Sequence, residues 1–392
     1  MLRQRFALCA ALSGLAWVSA CTNDFTGYHL EGSGAAAGDG GSSGLSESGG
    51  AAKAGGSGHL AGGPGSGGDR GEAGSGEQAG SGAEAGSPDV GSGGASLGGS
   101  GGAGMAGSAV VLLNVAPPSC QGLAPTCGPA KNASCCAASL VPSGSYERSH
   151  LPSAPATVSD FGLDLYEISV GRFRNFVPAY SQAMLAAGAG SNPNNPSDPG
   201  WNAAWNAKLP ASAAALVTAV QCANGTYTAQ PGANESKPMV CLSWYEAFAF
   251  CAWDGGRLAT EAEWNYAAAG GAEERTYPWG STAPDDDRAV FCPGSCSVVK
   301  GVGSKAPLGD GKWGQADLVG NAWEWNLDVY MAPYPQASCQ NCATTTASAS
   351  SLRVFRGGSA GNQASVLLSA TRNSRDPTDH NGFIGARCAR TP

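Results

Sequence analysis

Histidine is scarce: four in 392 residues, and two of them, His29 and His59, fall in a stretch that is otherwise almost all Gly, Ser and Ala. No pair has the spacing of zinc ligands, and a histidine triad for iron cannot be assembled. Charge is sparse too. Only 13% of residues are charged, the net charge is -8, and no block of Lys and Arg occurs. Without clustered cations to neutralise phosphates, nucleic-acid binding is not expected. A phosphate cradle is also missing, because "GDGKWG" (Gly309 to Gly314) lacks the strand-to-helix setting that aims N–H groups at an anion.

What is abundant is glycine and cysteine. Of the 60 glycines 29 crowd the first hundred positions, leaving enough chain beyond them for one sizeable domain. The N-terminus, "MLRQRFALCAALSGLAWVSAC", has Arg3 and Arg5, an apolar stretch from Phe6 to Val18, and small residues before Cys21. This is the pattern of a secretory signal, and residues 1–20 are expected to be removed. An ordinary signal with a chance cysteine would read the same way. "VSAC", however, resembles the lipobox of bacterial lipoproteins, which implies lipidation of Cys21, membrane anchoring and an exported protein in the cell envelope or at the surface. From Thr22 to about residue 107 the chain has little apolar surface to bury, so it is expected to be a flexible tether. About 85 such residues place the domain roughly 50 Å from its anchor on average.

Export favours disulfides over thiolate metal sites. Setting aside Cys9 and Cys21 leaves twelve of the fourteen cysteines, an even number. Residues 108–139 hold Cys120, Cys127, Cys135 and Cys136 and read as a disulfide-pinned lead into the domain, which is expected to run from 140 to 392. "CPGSC" (Cys292 to Cys296) and "CQNC" (Cys339 to Cys342) admit a zinc or redox reading, but small structural disulfide loops suit an exported protein better.

Two helices are signalled clearly. In "SWYEAFAFCAWDGG" Ser243 and Glu246 form a capping box, with Gly255 available as a left-handed cap. In "TEAEWNYAAAGG" Thr260 and Glu263 repeat the device, and with only "RLA" between them the helices are expected to form a tight pair. Beyond Gly271 the chain reads as loops and short strands held by Trp264, Trp279, Trp323 and Trp325.

"RGGSAGNQASVLLSATRN" (Arg356 to Asn373) contains a possible nucleophile elbow at Ser359. Asp376, Asp379 and His380 follow it, but too soon for another βα unit, so the elbow is not expected. "DLVGNAWEW" offers Asp317 and Glu324 with carbonyls between them, hard oxygen donors of the kind calcium takes. Capping of turns by those acids is the plainer alternative.

"PMVCLSWYEAFAFCAWDGGRLATEAEWNYAAAGG", "YPWG", "DLVGNAWEW", "RVFRGGS" and "NGFIGARCAR" occur in this order. Together, over about Leu140 to Arg390, they resemble the formylglycine-generating enzyme, or sulfatase-modifying factor, family. The resemblance implies an α+β fold of low regular content related to C-type lectins. It implies oxidation of a substrate cysteine to formylglycine with copper held by two cysteines just after the Gly-Gly-Ser turn. Those positions fall on Asn362 and near Leu367, and no cysteine lies between Arg356 and Arg387. Cuprous copper needs soft thiolates, so copper is not expected and catalytic residues are not assigned. Ser359, Trp323 and Asn362 are then a remnant pocket, and the domain is expected to bind a protein or glycan ligand; formylglycine generation by other residues is the alternative. The family's structural disulfide implies Cys251 with Cys388. Its calcium site implies side-chain ligands Asp317 and Glu324 and carbonyls of Gly320 and Ala322, while a second calcium site is degraded at Ala289 and Val290.

Overall fold

The computed structural model describes residues 110–294, 296, 298–335, 337–346 and 351–392. The signal peptide, Cys21 and the Gly-rich stretch to 107 lie outside the described residues. Strands β1 (Leu112–Leu113), β2 (Ala138–Val141), β3 (Gly144–Glu147), β4 (Pro155–Val158) and β5 (Phe161–Asp164) come first, then helices α1 (Val170–Phe176) and α2 (Ala213–Ala219). The middle holds α3 (Trp244–Trp253), β6 (Arg257–Leu258) and α4 (Glu261–Ala269). Strands β7 (Trp323–Val329), β8 (Cys339–Gln340), β9 (Arg353–Arg356), β10 (Arg372–Arg375), β11 (Ile384–Gly385) and β12 (Cys388–Arg390) follow. Long loops and single 3-10 turns fill the rest, so the architecture is α+β with little regular structure.

Three sheets result. One has the order β1-β2-β5-β12-β6, a second β10-β9-β7-β11, and a third β3-β4-β8. Because β2 pairs with β5 through Ala138↔Asp164 to Val141↔Phe161, the expected boundary at 139/140 runs through a strand. The cysteine-rich segment is part of the same folded unit. Cys120–Cys136 and Cys127–Cys135 staple it, and the Ser119 N–H donates to Asp254 Oδ1 at 2.9 Å.

Both capping boxes form. The Ser243 hydroxyl accepts from Glu246 N–H while the Ser243 N–H donates to the Glu246 carboxylate at 2.8 Å; Thr260 and Glu263 do the same. The two helices do not form the expected tight pair. "RLA" supplies β6, which pairs with β12, and α3 packs into a large cluster with Phe173, Phe176 and Trp325, whereas Trp264 and Tyr266 of α4 pack with Phe161, Leu163 and Trp313. Two residues of extended backbone recruited to a sheet edge outweigh the helix–helix contact.

Buried charge ties the elements together. Asp164 at the end of β5 pairs with Arg172 of α1 at 2.8 Å and Arg390 of β12 at 2.5 Å, and Asp254 after α3 pairs with the same two arginines at 2.6 and 2.9 Å. Two acids facing two guanidiniums leave no net charge within this group of four. Cys251 on α3 and Cys388 on β12 form a disulfide across 137 residues of chain.

Candidate functional site

After β9 the chain turns at Gly357 and Gly358, with φ of 103° and 73°. A Cβ at Gly357 would lie 2.7 Å from the Leu318 carbonyl oxygen, and one at Gly358 would lie 2.6 Å from Leu367 Cδ2. Only glycine lets the turn sit this close to the 317–324 loop. The two segments are joined by Gly320 N–H donating to the Gly357 carbonyl (2.8 Å) and Ala360 N–H donating to the Asn321 carbonyl (2.9 Å).

Within this turn Ser359 and Asn362 satisfy each other. The Ser359 hydroxyl and N–H both donate to Asn362 Oδ1, at 2.8 and 3.0 Å, and both residues are buried. His380 donates no help to Ser359. Its Nε2 lies 3.0 Å from the Glu246 carboxylate, at the capping box of α3, and that contact raises the imidazole pKa. The segment after Ser359 holds only a 3-10 turn at Ala364–Val366. A nucleophile elbow needs a helix and a base there, and has neither. Trp323 is buried edge-on to Phe355, ring centroids 4.9 Å apart. Leu367 is fully buried in an apolar cluster with Ala289, Phe291 and Val319.

Soft ligands for copper are lacking at this place: an amide already engaged by a serine and a packed hydrocarbon stand where thiols would be needed. Among the described residues all twelve cysteines are in disulfides: 120–136, 127–135, 222–241, 251–388, 292–296 and 339–342. The residues do not fit a cuprous centre. One disulfide nevertheless neighbours the turn, with the Cys292 N–H donating to the Asn362 carbonyl at 2.7 Å and Cys296 Sγ 3.8 Å from the Gly361 carbonyl oxygen.

The 317–324 loop carries a concentration of buried acid. Glu324 is clasped by Arg387 through both carboxylate oxygens, at 2.6 and 2.8 Å, and accepts from Trp264 Nε1 at 2.7 Å. Asp317, with φ of 55°, accepts from the Gly303 N–H at 2.5 Å. Glu167 accepts from Asn321 Nδ2 and the Ala322 N–H, at 2.9 and 3.0 Å. Burial, then repulsion from Asp317 and Glu324, raises Glu167 well above the carboxylate range. Burial pushes Asp317 up to about 6 and Asp310, with Asp317 beside it, up to about 7. Arg387 is the one guanidinium set against these four acids among the interactions above. Asp310 Oδ1 and Gln315 Oε1 are buried with no hydrogen-bond donor among the described residues.

An excess of buried negative charge with orphaned oxygen atoms is what a bound hard cation relieves. Oxygen donors of this kind suit calcium by type, but among the described residues no three acid, histidine or cysteine side chains are gathered to hold a metal ion, and Arg387 already engages both oxygens of Glu324. The sequence motif contained Asp317, Gly320, Ala322 and Glu324 but missed Glu167, Asp310 and Arg387. An acid in the otherwise inward run "LDLYEIS" was the available signal for Glu167.

The sulfatase-modifying factor enzyme 1-like domain model (FGE-sulfatase) matches residues 124–392. The chain is 34% identical over 178 residues to the bovine (Bos taurus) inactive C-alpha-formylglycine-generating enzyme 2, covering 39% of this chain and 50% of that protein. It is likewise 34% identical over 176 residues to the formylglycine-generating enzyme of Streptomyces coelicolor, covering 39% of this chain and 52% of that one. The chain thus spans about half the length of these curated relatives. Among solved structures, PvdO from Pseudomonas aeruginosa matches at 21% identity and a TM-score of 0.45, over 66% of this chain and 95% of PvdO. With more than half of its residues matched by the family model, this chain belongs to the sulfatase-modifying factor, or formylglycine-generating enzyme, family.

Proposed function

We propose that this chain is a member of the family that does not run the copper oxidase reaction and instead presents its domain as a binding module for a protein or glycan. The observation that carries the reading is the pairing of Ser359 with Asn362, beside a buried Leu367, where the reaction needs two thiolates. A relative named as inactive supports it: the family contains members without the activity. The signal-like N-terminus and Cys21 support delivery of this module to the outside of a membrane on a long tether. Calcium, supplying charge neutralisation alone, would be held by Asp317 and Glu324 with the carbonyls of Gly320 and Ala322.

The test is incubation of the purified protein with a cysteine-containing sulfatase peptide, copper and oxygen, followed by aldehyde detection. No aldehyde is expected, together with saturable binding to envelope components; aldehyde formation contradicts the reading. A second reading rests on Cys292–Cys296, whose position against Gly361 and Asn362 would let reduction place two thiols at the turn. It requires activity that appears only after reduction and disappears in Cys292→Ser and Cys296→Ser.

A further inference from the structure

The "CQNC" motif is held in a setting that a purely structural staple does not need. Asn341, between the two cysteines, has φ of 47° and is fixed on every side. Its N–H donates to the Thr157 carbonyl at 2.8 Å, its Oδ1 accepts from the Ser159 N–H at 2.7 Å, and its Nδ2 donates to Ser159 Oγ and the Asn194 carbonyl. Cys339 is paired to Ala156 in the parallel β4–β8 register. Neither anchor uses the sulfur–sulfur bond, so the sulfurs stay near one another when it opens.

The second observation is a cation. Arg148 Nη1 lies 3.7 Å from Cys342 Sγ, with the guanidinium 4.3 Å over the Tyr334 ring and its Nε donating to the Ala154 carbonyl at 3.1 Å. Arg148 and Cys342 line one small cavity with Glu261, Asp328, Tyr334 and Arg372. Glu261 is paired with Arg356 and Arg372, Asp328 accepts from the Glu261 and Thr344 N–H groups, and Arg148 Nη1 is in direct contact with Cys342 Sγ. A guanidinium beside a cysteine stabilises its thiolate, and a stabilised thiolate is the better leaving group in disulfide exchange. Both cysteines are partly exposed, whereas Cys251 and Cys388 are fully buried.

We propose that Cys339–Cys342 is an exchangeable disulfide that oxidises a dithiol peptide or protein. A thiolate of the partner attacks Cys339 Sγ, forming a mixed disulfide. The Cys339–Cys342 bond breaks, and its electron pair leaves on Cys342 Sγ beside Arg148. The partner's second thiolate then attacks the partner sulfur of the mixed disulfide, expelling Cys339 as a thiolate that takes a proton from water. Two electrons pass in total: the partner dithiolate becomes a disulfide, Cys339 becomes a thiol with the proton from water, and Cys342 remains a thiolate beside Arg148.

The test treats the intact protein with reduced glutathione, quenches by alkylation and maps the opened cysteines by mass. Cys339–Cys342 is expected to open first, with Cys251–Cys388 still closed. Arg148→Gln is expected to slow that opening several-fold, because the leaving thiolate loses its neighbouring cation, and Arg148→Lys to restore most of the rate. Opening of Cys339–Cys342 no earlier than Cys251–Cys388 in the unsubstituted protein overturns the proposal, whatever the variants do. So does an unchanged opening rate in folded Arg148→Gln.

Discussion

Glu261 shows how single residues carry this fold. Its carboxylate accepts from Arg356 at 2.8 Å and from Arg372 at 2.7 and 2.8 Å, so both arginines of the 356–373 stretch converge on the first turn of α4. In the sequence those arginines flanked a turn of unknown purpose, and nothing in their spacing named a partner 95 and 111 residues away. Glu261→Gln leaves two buried guanidiniums short of charge and is expected to cost about 3–5 kcal/mol, measured by urea unfolding. His380 was equally illegible as a partner of Glu246. Hydrogen bonding to Glu246 raises the His380 pKa above its ordinary 6.5, so the contribution is complete below that pH and fades as pH rises through the raised value. Unfolding free energies at about pH 5 and about pH 8.5 test this: His380→Gln is expected to remove part of the loss seen on going up in pH. An equal loss in the variant would count against the assignment. By contrast, Asn362 and Leu367 were singled out through the family resemblance, and the fold places one against Ser359 and the other in an apolar cluster.

At the scale of elements, α3 and α4 were plain because a capping box is a local device, complete within four residues. Their separation by β6 was not, since β6 is two residues long and exists only because β12 returns to pair with it. The same return is fixed by Cys251–Cys388. Replacing both cysteines with alanine is expected to cost as much as about 5 kcal/mol in the chain-entropy treatment, given the length of chain between them. Calorimetry of the double variant checks it; a change below about 1 kcal/mol would show that the β6–β12 pairing and the Asp164–Arg390 contact hold the ends without the bond. The cysteine-rich lead-in was legible as stapled, but its union with the first sheet was hidden in the unremarkable strand "ASLV".

Across the whole molecule, the acids gathered from the segment after β5, the 303–324 loops and β7 around one arginine are the feature that sequence showed only in part. Two of them stood in a motif; the others were brought in by folding. Calcium is expected to raise the melting temperature, by an amount equal to about 2.7 kcal/mol when its concentration is a hundred times its dissociation constant. Asp317→Asn should abolish that rise, and a melting temperature that ignores calcium would remove the cation from the account.

The account as a whole turns on the loss of sulfur beside Ser359. Cuprous ion titrated anaerobically into the fully oxidised protein, with bound metal measured after desalting, addresses it directly. Less than a tenth of an equivalent is expected to remain, on the order set by the absence of thiolate ligands. One equivalent of copper, retained by the protein and lost in Asn362→Ala, would contradict it.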